Sequence, residues 1–177
     1  MDFAIDLETL GRVSGCPIVS IGCVSFERDA EGTNEELYLE LNLGEQFNEG
    51  YKVDANTLAW WMQQENRDVF LVPDSKRKSL EDALLELRQF VTIWGDDGSC
   101  VWAIGSDFDI AMLRWMYSEW DINWPFHYQA ARDVRTLCDA RGYDRKTLVI
   151  PGLMAHNALD DAIYAATCVQ HAFKHGK

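Results

Sequence analysis

The stretch DFAIDLETLG at residues 2–11, followed after a short break by PIVSIGCVSFE at 17–27, decides how the chain is read. Residues 2–7 form a short apolar run that predicts a strand. Residues 17–27 set Ile18 and Ser20 against Val19 and Ile21, with many β-branched side chains, and predict a second strand. A third is predicted at 36–42, where Leu37, Leu39 and Leu41 alternate with charged or polar neighbours. Together they imply an antiparallel meander at the start of the chain.

Beyond Asp54 the apolar period changes to that of a helix. Leu58, Trp61 and Met62 recur at helical spacing, and Ser79 opens a long helical segment through Trp94, with Asp82 three positions after the capping serine. Residues 100–104 read as a short apolar strand, 108–119 as a helix and 126–129 as a last strand. Residues 133–141 read as a helix stopped by Gly142, and 158–175 as a closing helix. Three strands followed by strand–helix–strand–helix units imply an α/β fold, a mixed sheet flanked by helices. No repeat, low-complexity tract or linker interrupts this order, so residues 1–177 read as a single domain.

With 47% hydrophobic residues in 177, the chain can bury a sizeable core. Its 16 Lys+Arg against 29 Asp+Glu give a net charge of −13, which offers no basic footprint for non-specific nucleic-acid binding. Bulk charge alone argues against a polyanionic partner. An active site made of carboxylates is acidic by construction, however, and reaches a phosphodiester through its cations. Cys16, Cys23, Cys100, Cys138 and Cys168 are odd in number and form no C-x-x-C pair, which argues for buried reduced thiols over a disulfide framework or a zinc site. No run approaches the roughly 18 apolar residues of a membrane span, and no basic region precedes an apolar stretch at the N-terminus. The expectation is a cytoplasmic protein without membrane contact.

Three acidic segments stand at ends of expected elements. Asp6 and Glu8 flank Leu7 at the end of the first strand, so both carboxylates converge on one face. Two anions there repel unless the strand end is solvated or a cation sits between them. In Gly105-Ser106-Asp107-Phe108-Asp109 a strand ends and a helix begins. A capping box of Ser106 with Asp109 explains the acids there, although a strand's carboxyl end is also where open α/β sheets place ligands. In HNALDDA (156–162) Asn157 and Asp160 fit N-cap and N3 positions, leaving Asp161 beside His156, a metal ligand next to a proton-transfer group.

DLET at 6–9, FD at 108–109 and HNALDDA at 156–162, in this order, resemble the DEDDh class of 3′-5′ exonucleases, the superfamily of polymerase proofreading subunits, oligoribonuclease and RNase T. IDLETLG, the double Trp60-Trp61 and RDVRTL (132–137) are most similar to small phage and bacterial exodeoxyribonuclease VIII-like proteins or exoribonucleases. The resemblance implies an RNase H-like five-stranded sheet of order 3-2-1-4-5. It also implies hydrolysis of single-stranded DNA or RNA from the 3′ end, releasing nucleoside 5′-monophosphates with two Mg²⁺ or Mn²⁺ ions. Asp6, Glu8, Asp109 and Asp161 match the four metal-binding acids, Asp6 as the bridging one, and His156 matches the general base. Asp107 lies close enough to compete with Asp109, which is preferred because it follows Phe108. Ser106 stands where many relatives carry Asn.

For substrate holding, Leu10 matches the apolar wedge of the relatives, the backbone near Thr9 the grip on the 3′ end, and Phe108 is the aromatic residue of the second motif, before Asp109. Trp60 and Trp61 are candidates for a stacking platform, with at least one expected in the core. Arg132, Arg135, Arg141, Arg145 and Lys146 form a basic stretch that either contacts phosphates or is a solvated helix face. Several relatives are homodimers, which leaves a homodimer open here. A phosphodiesterase of small nucleotides and a non-catalytic binding module are the alternatives.

Overall fold

The computed structural model describes residues 1–175. Strands β1 (Asp2–Thr9), β2 (Ile18–Phe26) and β3 (Glu35–Glu40) form the expected antiparallel meander. β4 (Val101–Ala103) and β5 (Ala131–Asp133) extend the sheet in parallel from the other edge of β1, giving the order β3-β2-β1-β4-β5. β1 is therefore central. β2 is buried at every residue, because helices cover both faces of the sheet.

The helices are α1 (Leu43–Asn48), α2 (Ala55–Trp61), α3 (Leu80–Trp94), α4 (Asp109–Glu119), α5 (Val134–Ala140) and α6 (Ala158–His175). Asn42, Asp54, Ser79 and Asp133 open α1, α2, α3 and α5, each side chain accepting from the N–H three residues on. α1 has no counterpart in the sequence reading, because its six residues are too short for an apolar period.

The alternation of β1 sorts its side chains between two layers. Phe3, Ile5 and Leu7 pack with Leu84 and Leu87 of α3 and Leu113 and Met116 of α4. Ala4 packs with Val24 and Trp102 against Val134 of α5 and Ala162, Ala166 and Val169 of α6. By the period of two, Asp2, Asp6 and Glu8 share the Ala4 face. Small side chains let α6 lie close to the sheet, and the closest approach is at Gly22, the cross-strand partner of Asp6. A Cβ on Gly22 would sit 2.0 Å from the Ala158 carbonyl oxygen and 2.4 Å from the Leu159 nitrogen. The missing side chain thus seats the first turn of α6 beside the end of β1.

The last strand differs from its expected place at 126–129. Phe126 is a core residue set edge-on to Phe3 at 5.5 Å, and the Ala130 N–H donates to the His127 carbonyl in a turn. Pairing with β4 starts only at Ala131, in a largely exposed edge strand that carries no apolar alternation. All five cysteines are buried and free. No helix among the described residues is long and apolar enough to cross a membrane.

Candidate active site

β1 brings Asp6 and Glu8 to one point, and the shortness of β4 brings Asp109 to meet them. β4 pairs with β1 only at Phe3 and Ala4, which leaves the farther edge of β1 open. There the Leu7 N–H donates to Asp109 Oδ1 at 3.2 Å. The capping box of Ser106 and Asp109, the purely structural reading of this segment, does not form: α4 is preceded by Phe108, which makes no side-chain cap bond, and Asp109 is buried against the strand. From the first turn of α4 this carboxylate reaches back to the strand backbone. Asp133 braces the same turn, its Oδ2 accepting from the Gly105 and Ser106 N–H groups at 3.0 Å each. Asp107 is exposed and pairs with Arg135 at 2.9 Å, apart from the buried acids.

α6 brings the fourth acid. Asn157 Oδ1 accepts from the Leu159 and Asp160 N–H groups, opening the helix as expected. Asp160 turns back to accept from the Met154 N–H at 2.8 Å, while Asp161 Oδ2 accepts from the His156 N–H at 2.9 Å. His156 has φ 61°, a left-handed conformation that a side chain bearing Cβ adopts only when its surroundings hold it there. The holding groups come from α2 and the segment after it. The Asn66 side-chain amide donates to the His156 carbonyl, and the Trp60 ring stands edge-on to the imidazole with centroids 4.7 Å apart. Ligand atoms of Glu8, His156 and Asp161 all lie within 4.8 Å of one another.

The electrostatics of this cluster are adverse for a protein on its own. Burial, then the charges of Asp109, Glu8 and Asp161, push the Asp6 carboxyl well above the usual carboxylate range. Burial, then Asp161 and Asp109, raise Glu8 to about 8. Burial also raises Asp109 and Asp161, against the N–H groups of Leu7 and His156 that favour their ionised forms. Among the described residues, none of the four pairs with a lysine or arginine. Four acids with no lysine or arginine in direct contact among the described residues form a set of hard oxygen donors suited to divalent cations.

Beside Glu8 opens a cavity of about 420 Å³ lined by Thr9, Arg12, Asn56, Thr57, Trp60 and Phe108, among others. Aromatic walls with a few polar groups are the make-up of a small-ligand pocket. Trp60 is 40% exposed, whereas Trp61 is buried and its indole N–H donates to the Thr9 carbonyl at 2.9 Å. Thr9, Phe108 and Trp60 are thus brought together. Leu10 is a correction: it is 3% exposed and packed with Val19 and Trp61, so it offers no face to a base. Arg135 lies outside this cavity, paired with Asp107 and Asp133. The sequence reading missed Arg12, Asn56, Thr57, Asn66 and Asp133. Of these only Asp133 carries a local signal, as a cap residue, and the others gain meaning from neighbours distant in sequence.

A family model described as the 3′-5′ exoribonuclease Rv2179c-like domain matches residues 1–173. No curated protein matches in sequence. The fold is similar to the zinc-bound E. coli ExoI–ssDNA complex, with TM-score 0.71, 11% identity, 98% of this chain and 40% of the other. It is also similar to the nuclease domain of 3′hExo, a DEDDh family member bound to rAMP, with TM-score 0.60, 11% identity, 98% of this chain and 92% of the other. Cell-death related nuclease 4 matches with TM-score 0.56, 13% identity, 99% of this chain and 65% of the other. The chain thus spans about two fifths of the ExoI chain it matches. Its architecture is that of the RNase H-like exonucleases.

Proposed function

The chain belongs to the Rv2179c-like 3′-5′ exoribonuclease domain family, and from that premise we propose that it removes nucleoside 5′-monophosphates one at a time from the 3′ end of single-stranded nucleic acid. The observation that carries this reading is the meeting of three distant segments: ligand atoms of Glu8, His156 and Asp161 lie within 4.8 Å of one another, Asp109 accepts from the N–H of Leu7 between Asp6 and Glu8, and among the described residues no lysine or arginine pairs with these acids. Such a set fits a pair of divalent cations of the Mg²⁺ or Mn²⁺ kind, which when bound supply charge stabilisation for the attacking and leaving oxygens of a displacement at phosphorus. Asp6, Glu8, Asp109 and Asp161 would hold them.

The chain's own groups do the rest. His156 takes a proton from the attacking water, the general-base role to which an imidazole is suited. Trp60 and Asn66 fix its orientation. A water oxygen bonds to phosphorus, the P–O3′ bond breaks, O3′ takes a proton from solvent to become the 3′-hydroxyl of the shortened strand, and the phosphate leaves on the 5′ oxygen of the released nucleoside. The cavity of Thr9, Asn56, Trp60 and Phe108 takes the terminal nucleoside, its aromatic rings giving the sequence-tolerant contact that successive removal requires.

The test uses single-stranded RNA and DNA of one sequence, labelled at the 5′ end, with Mg²⁺ or Mn²⁺. The expected result is a ladder shortening from the 3′ end, absent with EDTA and in Asp6→Asn. Intact oligonucleotides with folded wild-type protein and metal present would overturn the reading.

A further inference from the structure

Resting on that reading, we propose that the cleft formed by α5 and the turn after it binds the phosphate backbone of the substrate strand upstream of the nucleotide being removed. The cleft has a volume of about 480 Å³ and is lined by Arg135, Arg145 and Lys146 together with Cys138, Asp139 and Tyr143, among others.

Charge separates this segment from the rest of the chain. Residues 132–146 hold five basic against three acidic residues, a net of +2. The remainder holds 11 basic against 26 acidic, a net of −15. A strand repelled by most of the surface is attracted here. Two of the three acids of the segment are engaged with backbone: Asp133 accepts from Gly105, Ser106 and Thr136, and Asp144 accepts from the Lys146 N–H at 3.1 Å, while Asp139 stands on the cleft wall. Of the cations, Arg132 donates to the carbonyls of Gln129 and Ala131, Arg135 pairs with Asp107 and Asp133, and Arg141 lies over the Phe173 ring. Among the described residues, Arg145 and Lys146 form no ion pair, in a chain with 29 carboxylates to offer. In the other basic cluster, at 76–78, Arg77 is turned inward onto the carbonyls of Leu41, Val69 and Val72 and Lys78 is paired with Glu86, which leaves Lys76 as the one cation there with neither kind of partner among the described residues.

The cleft adjoins the loop that leads into α4, through Arg135 on its wall. Arg135 reaches Asp107, two residues from Asp109, and α5 then runs about 10 Å to the turn that carries Arg145 and Lys146. A dinucleotide has a single bridging phosphate, which belongs at the carboxylates. Only a longer strand has phosphates left for the cleft.

The test compares a dinucleotide with a 12-mer of the same single-stranded chemistry, measuring KM and its salt dependence for wild type, Arg145→Ala/Lys146→Ala and Asp139→Lys. The double variant is expected to raise the 12-mer KM roughly tenfold and to move the dinucleotide KM less than about twofold, with the salt slope reduced by about 1.4 for two lost phosphate contacts. Asp139→Lys adds a cation to the same cleft and is expected to lower the 12-mer KM, an effect that impaired folding would not produce. An unchanged 12-mer KM and slope in the double variant overturns the proposal, as does an equal loss on both lengths. Wild-type protein that cuts neither length removes the proposed function, and the cleft's role with it.

Discussion

The two ends of β1 both bury carboxylates, and the chain treats them in opposite ways. At the start of the strand Asp2, 5% exposed, accepts from the Trp102 indole at 2.6 Å, from the Cys100 N–H at 3.0 Å and from Arg28 at 2.5 Å. Four residues on, Asp6 shares its surroundings with Glu8, Asp109 and Asp161, and among the described residues no cationic side chain pairs with it. A buried acid surrounded by donors ties distant segments together. Buried acids surrounded by acids cost stability, and they make sense where something from solution completes them. The donors around a carboxylate, more than its burial, therefore separate a structural acid from a functional one.

The sharpest way to break this contrast is Asp6→Asn. Hydrolysis should be abolished while the metal-free protein gains about 1 kcal/mol, roughly 2–4 °C in Tm, as one repelling charge is removed. Activity assays paired with thermal melts in EDTA check both signs. His156→Ala should lower kcat by about 10²–10⁴-fold with little change in metal affinity, read by steady-state kinetics and calorimetry. Gly22→Ala drives a Cβ into the first turn of α6 and should displace Asp161 from the β1 acids. A shift of that kind should cost about 10²-fold in kcat/KM. Asp2→Ala has the smallest catalytic effect. It orphans the Trp102 and Cys100 donors and should cost about 2–4 kcal/mol in denaturant unfolding. The protein that remains folded should keep a near-normal kcat.

Much of the site was legible because its acids sit at the ends of strongly patterned elements. Asp6 and Glu8 follow from alternation in β1, and Asp161 from being left over once Asn157 and Asp160 are assigned to the helix start. The sheet order came with the family resemblance, not with the periodicity. Asp109 is picked out by the motif, while its bond to the Leu7 N–H is invisible in the sequence, because the open edge of β1 exists only once β4 is known to stop at Ala103. Leu10 failed for a related reason: its neighbours Val19 and Trp61 are distant in the chain, and they bury it. The edge strand β5, polar and exposed, has no pattern to read. Asp2 passed unnoticed because its partners Arg28, Cys100 and Trp102 meet it only in the folded sheet.

The central claim is that the far end of β1 is completed by divalent cations and its near end by the chain. Calorimetric titration of Mn²⁺ into wild type, Asp6→Asn and Asp2→Asn tests it most directly. The account predicts saturable binding in wild type and in folded Asp2→Asn, and its loss or severe weakening in Asp6→Asn. Absence of Mn²⁺ binding in wild type, or binding that Asp6→Asn leaves unchanged, would contradict it.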